Sequence, residues 1–129
     1  MDSINETALL DVLGRLESIC PALAGAVVAT RDGLVLAAVG DYQGDTPAAC
    51  AASLSVHLQD DLQPLVAGPH AIGREELLIF GDDMLWYLSH LATGHLLLIG
   101  SRQTVHAGAV RLAGQTTARQ LNRWLTASP

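Results

Sequence analysis

Apolar positions change their period along the chain, and these changes predict where the helices and strands lie. From Leu9 onward, apolar residues recur at three- and four-residue spacing, which is typical of one face of an amphipathic helix. Ser3 and Glu6 precede this run at the spacing of a capping box, and Pro21 stops it. The pattern predicts a first helix over about residues 4–19.

Two short apolar runs follow, GAVVAT at residues 25–30 and LVLAAV at residues 34–39, and neither alternates cleanly. Strands that are covered on both faces show this pattern. The Asp32-Gly33 pair between them favours a tight turn, because both residues tolerate the positive φ that such turns require. Since the gap is too short for a parallel crossover, the runs are predicted to form an antiparallel hairpin.

A second helix is predicted to begin at Asp45-Thr46-Pro47, where Asp or Thr can cap the helix, and to end at Gly68-Pro69. Its apolar stripe consists of Ala48, Ala51, Leu54 or Ser55, Leu58, Leu62 and Leu65. The first half is rich in small side chains, which allow another helix or a sheet to approach closely. The alternative explanation is that alanine simply favours helix formation.

Three further strands are predicted at residues 71–80, 84–92 and 95–101, joined by short turns at 81–83 and 93–94. The first of these strands opens with charges that suit an exposed edge or a polar turn: Arg74, Glu75 and Glu76.

The last predicted helix covers about residues 102–125. Its apolar face carries Val110, Ala113, Thr117, Leu121 and Trp124. The opposite face carries Arg111, Arg119 and Arg123, within an arc of about 120°. These arginines either pair with Asp11 or Glu17 of the first helix or stay solvated.

The element order α-β-β-α-β-β-β-α predicts an α+β fold with three layers. Five mostly antiparallel strands form the central sheet, and helices cover both of its faces as an α/β/α sandwich. The length of 129 residues suits one domain over residues 1–129.

The net charge and the distribution of charged residues exclude some classes of partner. The net charge is −6, all thirteen acids lie at or before Asp83, and the chain contains no lysine. An acidic total argues against general binding to a phosphate backbone, so no nucleic acid partner is expected.

No apolar run approaches the ~18 residues that span a bilayer, and the N-terminus has no basic signal region. We expect a cytoplasmic protein without membrane insertion, whose Cys20 and Cys50 are reduced and mostly buried.

Motifs for catalysis are missing from the sequence. It contains no nucleophile elbow, P-loop or dinucleotide loop, and neither cysteine has a third ligand nearby. His90 and His95 flank a predicted turn and could lie near each other, but two ligands do not make a zinc site. The acidic pairs at 60–61 and 82–83 suit solvated positions better than paired catalytic carboxylates. We therefore predict no catalytic residue, cofactor or metal.

The stretch LLDVLGRLESICPALAGAVVATRDGLVLAAVG, residues 9–40, together with the second helix TPAACAASLSVHLQDDLQPLV, resembles the roadblock/dynein light chain family. The remaining element order matches as well, so the resemblance covers nearly the whole chain. It implies a profilin-like sandwich that dimerises. In that arrangement the third strands pair across a two-fold axis and the second helices lie together on one face.

The resemblance also implies a function. Members of the family act as regulators or scaffolds of small Ras-like GTPases, or as subunits of motor and signalling assemblies, and they share no catalytic residue. The sequence thus predicts a non-enzymatic homodimer with a small Ras-like GTPase as partner. The alternative is a small-ligand sensor of the PAS, GAF or profilin-like type, which needs a cavity with convergent polar groups. A hydrolase is disfavoured because nucleophile motifs are missing.

The GTPase contacts are predicted from surface chemistry rather than from the family, whereas the dimer contacts are those that the family's dimer arrangement implies. The partner-binding candidates lie on the solvent side of the second helix: Ser53, His57, Asp60 and Asp61. The dimer-interface candidates are the small residues of that helix and the charged start of the third strand: Ala48, Ala49, Ala52, Arg74, Glu75 and Glu76. An ordinary solvated helix face is the competing interpretation of the first group.

Overall fold

The computed structural model describes residues 6–20, 22–66, 76–102 and 106–126, and for residues 58, 59 and 61–66 it describes the backbone alone. The helices are α1 Glu6–Gly14, α2 Leu16–Ile19, α3 Asp45–Val66 and α4 Ala107–Thr126. The strands are β1 Leu23–Ala29, β2 Val35–Gly40, β3 Glu76–Phe80, β4 Leu85–His90 and β5 Leu96–Ser101. A short 3-10 turn, Ala92–Gly94, joins β4 to β5.

The five strands form one sheet in the order β2-β1-β5-β4-β3, and every neighbouring pair is antiparallel. Strands β2 and β3 are its two edges. The predicted element order and the α+β sandwich are confirmed.

Two hydrophobic layers lie on opposite faces of this sheet. Val28 and Leu97 belong to the layer under α1, α2 and α4, whereas Val27 and Leu98 belong to the layer under α3. Successive side chains of a strand point to opposite faces of the sheet. Since an apolar layer covers each face, the inward positions on both faces are apolar. This explains why the strands lack alternation in the sequence.

Several boundaries differ from the prediction. The first helix is interrupted at Arg15, directly after Gly14, which is a poor helix former. The last helix begins at Ala107, and its buried face ends with Leu125 rather than Trp124, whose exposed fraction is 45%. The predicted apolar face therefore includes Trp124 in place of the residue that is actually buried, Leu125.

The two cysteines lie in different environments, and both are reduced thiols. Cys20 is buried, and burial raises the pKa of its thiol from 9.0 to about 11. Cys50 lies exposed on α3, so its predicted burial was wrong. A reagent that attacks thiolates at neutral pH is therefore expected to modify Cys50 first.

Glycines let α4 and Tyr42 approach the sheet closely. A Cβ on Gly114 of α4 would lie 2.3 Å from Cε2 of the buried Tyr87. On the other face, Gly25 and Gly100 are paired across β1 and β5, and a Cβ on Gly100 would lie 1.9 Å from the Tyr42 hydroxyl. Tyr42 therefore packs where these strands carry no side chains, and its hydroxyl accepts a hydrogen bond of 2.7 Å from Trp86 Nε1.

Candidate functional site

The outer side of α3 carries most of the residues predicted to bind a partner. Ser53, His57 and Asp60 are exposed, and the side chain of Asp61 lies outside the described residues. The large apolar Val56 is 53% exposed on the same helix. This outer side therefore presents one acid, one imidazole and one apolar group together.

The alanines at the start of α3 serve packing within the chain. Ala48 is fully buried against the sheet, so its assignment to a dimer interface was wrong. Ala52 is half-buried, and its Cβ would lie 3.6 Å from a Cβ placed on Gly33 in the β1–β2 turn. Only Ala49, of the three candidate alanines, is exposed. Small side chains let the helix approach its own hairpin.

A buried hydrogen bond ties the middle of α3 to the end of β4. Ser55 Oγ and His90 Nε2 are 2.6 Å apart, and both residues are buried. His95 instead contacts Thr93 within the β4–β5 turn, where its Nδ1 lies 2.7 Å from the Thr93 hydroxyl oxygen. Among the described residues, no three potential metal ligands come together.

Beside α3, a strip of half-buried apolar side chains runs across the sheet from β1 and β5 to its β3 edge. Tyr42 and Trp86 belong to this strip, and so do Leu77 and Ile79 of β3. Strand β3 pairs only with β4 among the described strands, so its outer backbone groups are available for another strand. The outer side of α3, this strip and the β3 edge form the candidate site.

Glu76, at the start of β3, is held by α4 and does not extend freely from the edge. Arg111 Nε donates to one carboxylate oxygen at 2.7 Å, and Gln115 Nε2 donates to the other at 3.0 Å. Arg111 thus pairs with Glu76, and its predicted pairing with Asp11 or Glu17 was wrong. The other charged candidates of this strand, residues 74 and 75, lie outside the described residues.

Two opposing effects set the pKa of Glu76. Burial raises it, but the hydrogen bonds from Arg111 and Gln115 outweigh burial and bring the pKa below its ordinary value. When folding lowers the pKa of a carboxyl, the ionised carboxylate stabilises the folded state at every pH above the pKa that it has in the unfolded chain. That contribution is lost as the pH falls through the folded-state pKa.

We expect Glu76→Gln to lower the stability at pH 7, and we expect this effect to shrink as the pH falls through the lowered pKa of Glu76, where the carboxylate becomes protonated. Denaturation midpoints measured across this pH range check the prediction. Arg119→Gln is the matched control, because Arg119 forms no ion pair among the described residues. An equal loss of stability from Glu76→Gln at pH 7 and at acidic pH would contradict the proposed role of the charge.

A cleft of about 430 Å³ lies between β4 and α4 and bears on the ligand-sensor alternative. Its lining includes Glu76, Gln115 and Asn122. The first two bond each other, and Asn122 Oδ1 accepts a hydrogen bond of 2.7 Å from the backbone N–H of Ala92. These polar groups hold the protein's own elements together, so the cleft does not favour a ligand site.

Solved structures similar to the chain include MglB from Myxococcus xanthus. The likeness has a TM-score of 0.83 at 15% sequence identity and covers 98% of this chain and 94% of that chain. A Roadblock/LC7 domain from Streptomyces avermitilis matches with a TM-score of 0.76 at 19% identity, covering 90% of this chain and 96% of the other. The chain has the roadblock fold. The prediction from residues 9–40 and the second helix is confirmed at the level of fold.

The profilin-like character of the roadblock fold is confirmed by a more distant likeness. Profilin IA from Acanthamoeba castellanii matches with a TM-score of 0.56 at 12% identity, over 91% of this chain and 95% of that chain. No protein-family model matches the sequence, and no curated protein matches it significantly. Within the described residues, no helix is both long and apolar enough to cross a membrane.

Proposed function

We propose that this protein is a non-catalytic homodimer that regulates or scaffolds a small Ras-like GTPase. The observation that carries the proposal is the likeness to MglB, which extends over 98% of the chain. The roadblock resemblance implies this class of partner. The outer side of α3 supports it, because exposed apolar and charged groups lie side by side there.

The β3 edge supports self-association. A second copy of β3 would satisfy its unpaired backbone groups and join two sheets into one. The half-buried strip of Tyr42, Trp86 and Ile79 reaches this edge at Ile79, on the same face as α3. A second copy of the chain placed there would cover apolar surface that α3 alone leaves partly exposed.

Binding to a GTPase would act through a difference in affinity between nucleotide states. A protein that binds one state of its partner more tightly shifts the partner toward that state. Regulation of this kind needs no catalytic group from this chain. A protein that binds both states equally would act as a scaffold.

The experiment is capture of purified small GTPases, each loaded with GDP or with a non-hydrolysable GTP analogue, on the immobilised protein. We expect at least one GTPase to be retained with a preference for one nucleotide state. The double variant Asp60→Lys/Asp61→Lys is expected to slow its association about tenfold at low salt, because charges at an interface rim mainly set the on-rate.

Arg119→Glu provides the matched control, since it reverses a charge on α4, on the opposite face of the sheet. Its association rate should stay within about twofold of the unchanged protein. Equal, weak retention of every GTPase in both states would contradict the proposal. Unchanged kinetics in the double variant would move the contact away from α3.

A further inference from the structure

A groove between α1 and α4 brings two arginines and a tryptophan together on the face of the sheet opposite α3. Its volume is about 370 Å³. It is lined by Val12, Arg15, Gln120, Arg123 and Trp124. Val12 lies in α1, Arg15 at the break between α1 and α2, and the other three residues in α4. Both α1 and α2 pack against α4, so the groove is part of the folded structure and not of one loop.

The two guanidinium groups lack acidic partners within the part of the chain that the structure describes. Arg102 is paired with Asp41 and Arg111 with Glu76, but no such ion pair involves Arg15 or Arg123. No acid belongs to the lining of the groove. In a chain of net charge −6, the lining of this groove thus carries two positive charges and no negative one.

Trp124 gives the groove an apolar wall. Its side chain is 45% exposed because the neighbouring Leu125 takes the buried position at this turn of α4. Val12, which is 3% exposed, adds a further apolar surface. Tryptophan and arginine are the residues most enriched among those that dominate binding energy at protein interfaces.

We propose that this groove binds an acidic segment of a partner protein. A carboxylate of the segment lies between Arg15 and Arg123, and an adjacent apolar side chain packs on the indole of Trp124. Guanidinium groups bind carboxylates through paired hydrogen bonds, and the indole excludes water beside them. The groove is a second docking surface, independent of the α3 face and of the GTPase.

The test uses the full chain labelled with ¹⁵N and the peptide acetyl-Glu-Leu-Glu-Glu-Leu-Glu-amide. The chain has two tryptophans, and a Trp124→Phe variant assigns their indole N–H signals. Titration to about 1 mM peptide should shift the Trp124 signal. The Trp86 signal should stay in place, because that indole donates to Tyr42 on the other face.

Charge reversal then tests the two arginines. Arg15→Glu/Arg123→Glu is expected to weaken binding at least about tenfold, a change expected when paired charges are replaced by like charges. Arg119→Glu is the matched control on the same helix, because Arg119 does not line this groove, and it should change affinity less than about threefold at physiological salt.

Three results would overturn the proposal. One is the absence of any shift at Trp124, and another is an equal shift with the corresponding lysine–leucine peptide. The third is tighter binding of a single-stranded oligonucleotide than of the acidic peptide, which would assign the groove to phosphates. Capture of a GTPase on the α3 face is a separate readout, so either proposal can fail alone.

Discussion

Alanine in place of Gly114 is expected to destabilise the protein by about 2 kcal/mol. The new Cβ would lie 2.3 Å from Cε2 of Tyr87, whose side chain is 1% exposed. Overpacking of this kind costs about 1–3 kcal/mol, because α4 or the ring must shift. Alanine's better helix propensity, about 1 kcal/mol, offsets only part of that cost.

Gly108→Ala is the matched control on the same helix. No atom lies within 4 Å of a Cβ at Gly108, so only the helix propensity changes there. We expect Gly108→Ala to stabilise the protein by up to about 1 kcal/mol. Chemical denaturation of both variants measures the two effects, and opposite signs are the expected result. Equal stabilisation by both changes would mean that α4 does not lie so close to β4.

Aspartate in place of Val56 is expected to dissociate the proposed dimer. Val56 is the large apolar residue exposed on the described part of α3, and a carboxylate there would lose its hydration when a second copy packs along the Val56 side of the helix and leaves Asp60 and Asp61 to the GTPase. An unpaired buried charge costs several kcal/mol, so the dissociation constant should rise at least about 100-fold. Sedimentation velocity over a range of protein concentrations measures this rise.

Leu112→Asp makes an equivalent change on the opposite side of the sheet. Leu112 is 62% exposed on α4, so its replacement leaves the α3 side untouched. This variant should retain the dimer. A monomer at all concentrations of the unchanged protein would refute the dimer, and a dimer that survives Val56→Asp would place the interface away from this residue.

The element order could be predicted from the sequence because hydrophobic period and turn chemistry are local signals. Pro21, Asp32-Gly33 and Pro47 each limit the backbone within a few residues, and these turns and helix ends lie close to where they were predicted. Boundaries that depend on packing were missed. The break at Arg15 and the late start of α4 at Ala107 are of this kind, since helical period alone does not mark them.

The candidate site could be predicted only in part, for a physical reason. Exposure of Ser53 and His57 follows from their position opposite the apolar stripe of α3. The partner of Arg111 does not follow from the sequence, because Glu76 lies 35 positions away and only the fold brings the two together. Ala48 was misassigned because a small residue suits a sheet inside the chain as well as a helix in a second copy.

Two hydrogen bonds on the α3 side have a consequence for how this protein can bind. Ser55 connects the helix to His90, and Tyr42, three residues before the helix begins, connects its entry to Trp86. Both anchors are in β4, an inner strand of the sheet, so the first half of α3 is fixed to the sheet before any partner arrives. A preorganised surface loses little conformational entropy on association, and more of its contact energy is kept as affinity.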